Sequence, residues 1–216
     1  MKKLALYLSV LLTLATPARS ASVQHDFTVI LGPFDASRTV FTYTLSSEAY
    51  EVKSTVRTAG LFDTLYPFKA DYFTSGKIKG DVLETNKYHY SSKSRFNRRT
   101  KEMVYNEEGI PVYRIITKND KEKKVAIENS PDNKDTTDLQ TVFAELAKQY
   151  NEVKFCDSRM QVFDGKRRYD VIFKDEGKEE IIANEYSPAQ GLATKCSMYI
   201  DKLNSKDDDL LWELTS

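Results

Sequence analysis

The stretch YEVKSTVRT, residues 50–58, decides the fold class. Tyr50, Val52, Ser54 and Val56 alternate with Glu51, Lys53, Thr55 and Arg57. A period of two marks a strand with one packed and one wet face. TVFTYTL, residues 39–45, repeats the pattern: Phe41, Tyr43 and Leu45 point one way, Val40, Thr42 and Thr44 the other. Similar runs cover 68–78, 85–97, 100–106, 111–118, 122–128, 158–163, 167–174, 179–185 and 193–202. Turn signals separate them, among them Gly32-Pro33, Gly80-Asp81, Glu107-Glu108-Gly109, Asp164-Gly165 and Glu176-Gly177. One-sided alternation of this kind implies antiparallel sheet. Asp164-Gly165 suits a two-residue type I′ hairpin. That register sets Arg159 opposite Asp170 and Met160 opposite Tyr169, the first a cross-strand ion pair worth less than about 1 kcal/mol.

One segment breaks the alternation with a helical period. Leu139, Val142, Phe143, Leu146 and Tyr150 form an apolar stripe, predicting a helix at about 137–150. Thr137 is the expected cap, with Gln140 as its capping-box partner. The fold expected is mainly β: a curved antiparallel sheet or partly closed barrel with one packed helix. No repeat divides the chain, so 21–216 reads as a single β-rich domain.

Composition narrows the function classes. The chain has 216 residues, 32 basic and 32 acidic, with 13 Tyr and 11 Phe. A mean hydropathy of −0.53 excludes a multispan helical membrane protein. Balanced charge argues against a nucleic-acid partner. Met1-Lys2-Lys3, the apolar run 4–16 and Ala18-Arg19-Ser20 read as a secretory signal peptide over 1–20, cut near Ser20/Ala21. The expected location is therefore the periplasm. Removing 1–20 takes Lys2, Lys3 and Arg19 with it and leaves 29 basic against 32 acidic residues, a net charge of about −3.

Cys156 and Cys196 are the two cysteines of the chain. In an exported protein an even count favours a structural disulfide. Two buried thiols are the main alternative. Redox and metal roles are weaker, with no Cys-x-x-Cys and no histidine near either residue. Catalytic signals are sparse. His25 falls just past the cut, in a lead-in, and His89 lies on a strand among polar neighbours. No nucleophile elbow, phosphate loop or zinc-protease motif is present. A non-enzymatic protein without cofactor or metal is expected.

Two other segments suggest contacts. Lys93, Arg95, Arg98, Arg99 and Lys101 place five cations in nine residues, with Phe96, Tyr88 and Tyr90 interleaved. They suit an anionic lipid headgroup, an envelope polymer or a partner protein, or else a solvated hairpin face that blocks edge pairing. Leu61, Phe62, Leu65, Tyr66 and Phe68 crowd the stretch 60–68, which has neither clean period. They suit an apolar lip at a ligand cavity, a membrane-contacting loop, or a turn over the end of the core.

Taken together, 56–62, Tyr72 through Gly76, and 162–170 resemble an exported bacterial family, domain of unknown function 3108. Phe163-Asp164-Gly165-Lys166-Arg167-Arg168-Tyr169-Asp170, with Cys156 seven residues before Phe163 and Cys196 downstream, is the most specific part. The resemblance spans about 35–203, and the Lys- and Asn-rich composition is similar to its alphaproteobacterial branch. It implies an exported, mainly antiparallel β protein and supplies no catalytic residues. By fold analogy alone, a sheet wrapped on a helix is also similar to periplasmic lipoprotein carriers. The leading expectation is a protein that binds an apolar or amphipathic envelope ligand, a lipid or lipoprotein. Alternatives are an interaction module that uses the 93–101 run to contact an envelope protein or membrane surface, and, more weakly, an envelope-polymer hydrolase.

Overall fold

The computed structural model describes residues 21–128, 133–184 and 190–203. The expected leader at 1–20, the acidic run 207–209 and part of the loop before the helix lie outside the described residues.

Eight strands follow one another in chain order and pair neighbour to neighbour: β1 (Ala21–Leu31), β2 (Phe34–Leu45), β3 (Ala49–Thr58), β4 (Phe68–Lys79), β5 (Val82–Ser94), β6 (Arg98–Tyr105), β7 (Pro111–Lys118) and β8 (Lys121–Ala126). All these pairs are antiparallel. The short helix α1 (Gly60–Leu65) joins β3 to β4, and α2 (Leu139–Val153) follows β8. A second sheet of three antiparallel strands has the order β11 (Gly191–Lys202), β10 (Arg168–Ile181), β9 (Ser158–Phe163). The mainly β class is as the alternation implies. The large sheet does not close into a barrel: β1 and β8 are its two ends.

The covered face is the one the alternation selects. Tyr43, Tyr50 and Val52 are buried. A bulge keeps β5 in step: Gly76 pairs with Thr85 and Ser75 with Lys87, leaving Asn86 as the extra residue. Without it, Leu83 and Thr85 would face opposite to Tyr88. Gly76 is required by close approach. A Cβ there would lie 2.0 Å from the Glu84 carbonyl oxygen and 2.5 Å from Tyr50 Cε1.

Helix α2 lies between the two sheets, touching β3, β4 and β5 on one side and β9 on the other. Val142 packs with Val162, Tyr169, Val171 and Phe173 of the small sheet, with Phe143 and Leu146 beside them. Ala144 packs with Tyr43, Tyr50, Val52 and Leu83 of the large sheet. Burying a valine such as Val142 or Val171 contributes roughly 1.5–3 kcal/mol as an upper estimate.

Several local expectations need correcting. The lead-in containing His25 is strand β1, with His25 paired to Phe41. The cap of α2 is Asp138, whose side chain accepts from the Gln140 and Thr141 amides, not Thr137. Thr137 instead forms a parallel bridge to Val162. Of the 179–185 segment, 179–181 are the end of β10 and not a separate strand, 182–184 are in no strand, and 185 lies outside the described residues; β10 runs through Gly177, where the register shifts between Asp175 and Lys178. The β9–β10 turn is centred one residue later than expected. Asp164 and Arg167 flank it, with the Asp164 amide donating to the Arg167 carbonyl. Gly165, at φ +87°, takes the first central position, where a type II′ turn needs positive φ. Asp164 stays outside and accepts from the Lys166 and Arg167 amides. Arg159 therefore sits opposite Ile172, and Met160 opposite Val171. The Arg159–Asp170 ion pair forms nonetheless, diagonally, with Arg159 Nε 2.6 Å from Asp170 Oδ2.

Candidate functional site

Because α2 separates the sheets over only part of their area, a cavity of about 1210 Å³ remains beside it. The value exceeds the roughly 300–1,000 Å³ usual for small-ligand sites. The large sheet supplies Phe27, Phe41, Tyr43 and Val56, the helix Phe143, Leu146 and Tyr150, and the small sheet Val162, Tyr169 and Leu192. The rings of Phe41 and Phe143 meet edge-on at 6.2 Å, as do those of Phe143 and Phe173. Phe143 thus links both sheets and forms the floor between them.

The two ends of the cavity differ. Leu192, Ala193 and Thr194 of β11 line one end together with Cys156 and Cys196, which form a disulfide with Cα atoms 6.3 Å apart. The bridge ties the α2–β9 connection to β11. Tyr150 Oη lies 2.8 Å from Thr194 Oγ1 and adds a second tie there. The other end is polar: Tyr72, Tyr88, Lys101, Asp138 and Asp164 line it. Lys101 Nζ donates to the Asp164 carbonyl at 2.9 Å and lies 5.7 Å from the centre of the Tyr88 ring. Desolvation by burial holds this ammonium below the usual lysine value. Burial likewise pushes the Tyr72 phenol up to about 12 and that of Tyr88 higher still, so both remain protonated donors near neutral pH.

Both lining carboxylates are engaged in hydrogen bonds within the fold. Asp138 Oδ1 accepts from Thr74 Oγ1 at 2.9 Å and from the Gln140 amide at 3.0 Å. Asp138 Oδ2 accepts from Thr141 Oγ1 at 2.6 Å and Thr85 Oγ1 at 3.1 Å. Tyr50 Oη, 2.8 Å from Thr141 Oγ1, extends this buried network into β3. Asp164 is held by the turn amides and by Arg167, whose Nε lies 3.0 Å away. Burial opposes its charge, but Lys101, the two turn amides and Arg167 outweigh it and hold the carboxyl below its ordinary value. Among the described residues no group of three or more His, Cys, Asp or Glu side chains could hold a metal. No helix among them is long and apolar enough to cross a membrane.

The residues singled out in the sequence are distributed unevenly about this cavity. Cys156, Cys196 and Lys101 line it. Leu61, Phe62, Leu65, Tyr66 and Phe68 do not: α1 packs on β2, with Leu61, Leu65 and Tyr66 exposed. The remaining cations, Lys93, Arg95, Arg98 and Arg99, sit at the β5–β6 hairpin. Lys93 pairs with Arg98 and Ser92 with Arg99, so strand alternation sends Arg98 and Arg99 to opposite faces. The run is not one patch. Sequence reading missed the two aromatic walls, because Phe41, Phe143 and Tyr169 come from three separate elements. It also missed Asp138 and Thr141, whose hydrophilic character reads as the solvent side of a helix.

A family model described as protein of unknown function (DUF3108) matches residues 26–198. No curated protein and no solved structure matches the chain.

Proposed function

The chain belongs to the DUF3108 family, and from that premise we propose that it is an exported, non-enzymatic protein that binds an amphipathic envelope ligand between its two sheets. The observation that carries the reading is the large, aromatic-walled cavity, with Lys101, Asp138 and Asp164 gathered among its lining residues. An apolar cavity of this size left empty forgoes dispersion contacts on every wall, and a long apolar ligand would restore them. The leader-like sequence at 1–20 and the Cys156–Cys196 bridge fit a periplasmic setting, where disulfides persist. The committed hydrogen bonds of Asp138 and Asp164 make hydrolysis at this cavity the poorer reading. The split of the 93–101 cations makes a docking module the poorer reading for that hairpin.

Native mass spectrometry of the protein purified from its own envelope, followed by lipid extraction, tests the proposal. A co-purifying amphiphile, displaced by a fluorescent fatty-acid probe, is the expected result. Repeated recovery free of lipid, together with no probe binding, overturns it. Tyr150→Trp gives a second readout: its fluorescence should shift to shorter wavelength on probe binding at the cavity, and an unchanged spectrum would place the probe elsewhere.

A further inference from the structure

Lys101 is a partly buried cation at the end of an apolar cavity. Its ammonium has one close partner, the Asp164 carbonyl at 2.9 Å, and no carboxylate within ion-pair distance among the described residues. Desolvating a charge is costly unless an opposite charge compensates. Asp138 lines the same end, but its two oxygens already accept from Thr74, Thr85, Thr141 and the Gln140 amide. The charged groups acting on Lys101 are Asp164, Arg114 and Arg167. Asp164 is the sole carboxylate among them and is already paired with Arg167 at 2.9 Å. Arg114 pairs with Met103 across β6–β7 and so shares the face on which Met103 lines the cavity. Its Nε is buried without a hydrogen-bond partner among the described residues. A Cβ on Gly165 would come within 2.6 Å of Met103 Sδ and 3.2 Å of Arg114 Cδ. The β9–β10 turn therefore seats directly on these side chains and holds the cationic group in place.

From this geometry we infer that the Lys101 end of the cavity is a headgroup subsite for one anionic group, a carboxylate or a phosphate, on an amphiphile whose apolar chain runs past Phe143 toward the mouth at Phe27 and Leu192. The inference rests on the cavity reading above and adds the ligand's charge and direction. Lys101 supplies the counter-charge, Arg114 a second cation alongside, and the phenols of Tyr72 and Tyr88 supply donors at the same end. Phe27 and Leu192 are 55% and 69% exposed, which marks the end where a tail would meet solvent.

The test compares three oleoyl compounds with one tail: oleate, oleoyl lysophosphatidate and uncharged oleyl alcohol. Binding is measured by calorimetry on the wild-type chain, Lys101→Met and Lys101→Arg. A charge-assisted contact in a dry site predicts that at least one anion binds wild type roughly ten- to hundredfold more tightly than the alcohol. The tighter anion identifies the headgroup as carboxylate or phosphate. Lys101→Met should abolish that preference and leave the alcohol's affinity unchanged, while Lys101→Arg should retain it. Equal binding of anions and alcohol to wild type overturns the headgroup subsite and leaves the cavity reading standing. Binding of none of the three overturns both. The wild-type comparison decides even if Lys101→Met fails to fold.

Discussion

Asp138 does two jobs with one carboxylate. It caps α2 through the Gln140 and Thr141 amides, and it anchors the helix to the large sheet through Thr74 and Thr85. Losing a cap costs about 1 kcal/mol, and a buried hydroxyl left without its acceptor costs roughly 1–3 kcal/mol. Asp138→Ala should therefore lose about 3 kcal/mol or more, seen as a lower urea midpoint at unchanged slope. Asp138→Asn keeps one acceptor oxygen and should fall between the two. A loss below about 1 kcal/mol for the alanine variant would show the network to be unimportant. Gly76 is the second decisive residue. With the Glu84 carbonyl 2.0 Å from its prospective Cβ, Gly76→Ala forces β4 and β5 apart. Overpacking of this kind costs roughly 1–3 kcal/mol. A thermal melt should show it directly, whereas Gly80→Ala, with nothing within 4 Å of its Cβ but a φ of +61°, tests backbone strain alone.

At the scale of elements, α2 has two covered sides, and Gln140, Thr141 and Glu145 make hydrogen bonds on the one facing the large sheet. Glu145 Oε1 accepts from the Leu83 amide at 3.1 Å. Desolvation raises its pKa above the ordinary 4.5, partly offset by that amide and by Lys148. The native state then holds the proton more tightly than the unfolded chain. Its contribution to stability is full below pH 4.5 and is lost as pH rises through the raised native value. Glu145→Gln, which keeps the acceptor and drops the charge, should raise the melting temperature at pH 7 and converge with wild type at pH 4. A difference that grows as pH falls would reverse the assignment. The bridge is a second element-scale device. Closing a loop of 40 residues stabilises by about 4 kcal/mol in the chain-entropy account. The paired Cys156→Ser, Cys196→Ser variant should lose about 2–4 kcal/mol and show faster hydrogen exchange in β11. Legibility from sequence follows the same physics. Strands β2 and β3 were readable because Phe41, Tyr43, Tyr50 and Val52 face cover while their neighbours face water. Strand β1 carries the same signal, with Val23, His25, Phe27 and Val29 against Ser22, Gln24, Asp26 and Thr28, yet all its residues are exposed. Its position next to the expected cleavage site hid it. Gly177 reads as a turn, but at φ +87° it sits in the β10 bulge. The stripe of α2 was legible, while its other side was not, because Thr141 and Ala144 pack against a sheet more than fifty residues away in sequence.

At the scale of the whole molecule, the cavity exists because one helix props apart two sheets of unequal width. No local pattern encodes that arrangement. Its walls belong to β1–β6, α2 and β9–β11, so a bound ligand would couple elements that otherwise touch little. Binding to the native state alone stabilises by about 2.7 kcal/mol at a ligand concentration one hundred times Kd. The distribution of that gain is diagnostic. A ligand inside the cavity should slow hydrogen exchange in α2, in the β2–β3 segment around Phe41 and Val56, and in β10–β11 together, because opening any one wall then requires releasing the ligand. A ligand adhering to the outer sheet edge should protect only β1 and its neighbour β2, where Val29, Leu31 and Phe34 are exposed. Exchange measured by mass spectrometry on the wild-type chain with and without oleate separates the two. Protection confined to β1 and β2 would reject the cavity as the binding site even if calorimetry registers binding. Phe143→Ala sharpens the comparison, since Phe143 meets Phe41 on one sheet and Phe173 on the other. A large-to-small change of this kind costs about 3–5 kcal/mol in a core. Here the ring borders a cavity on one side, so the loss should lie toward the low end of that range. Added oleate should then recover more melting temperature in the variant than in wild type, because the acyl chain can fill the space the ring vacates.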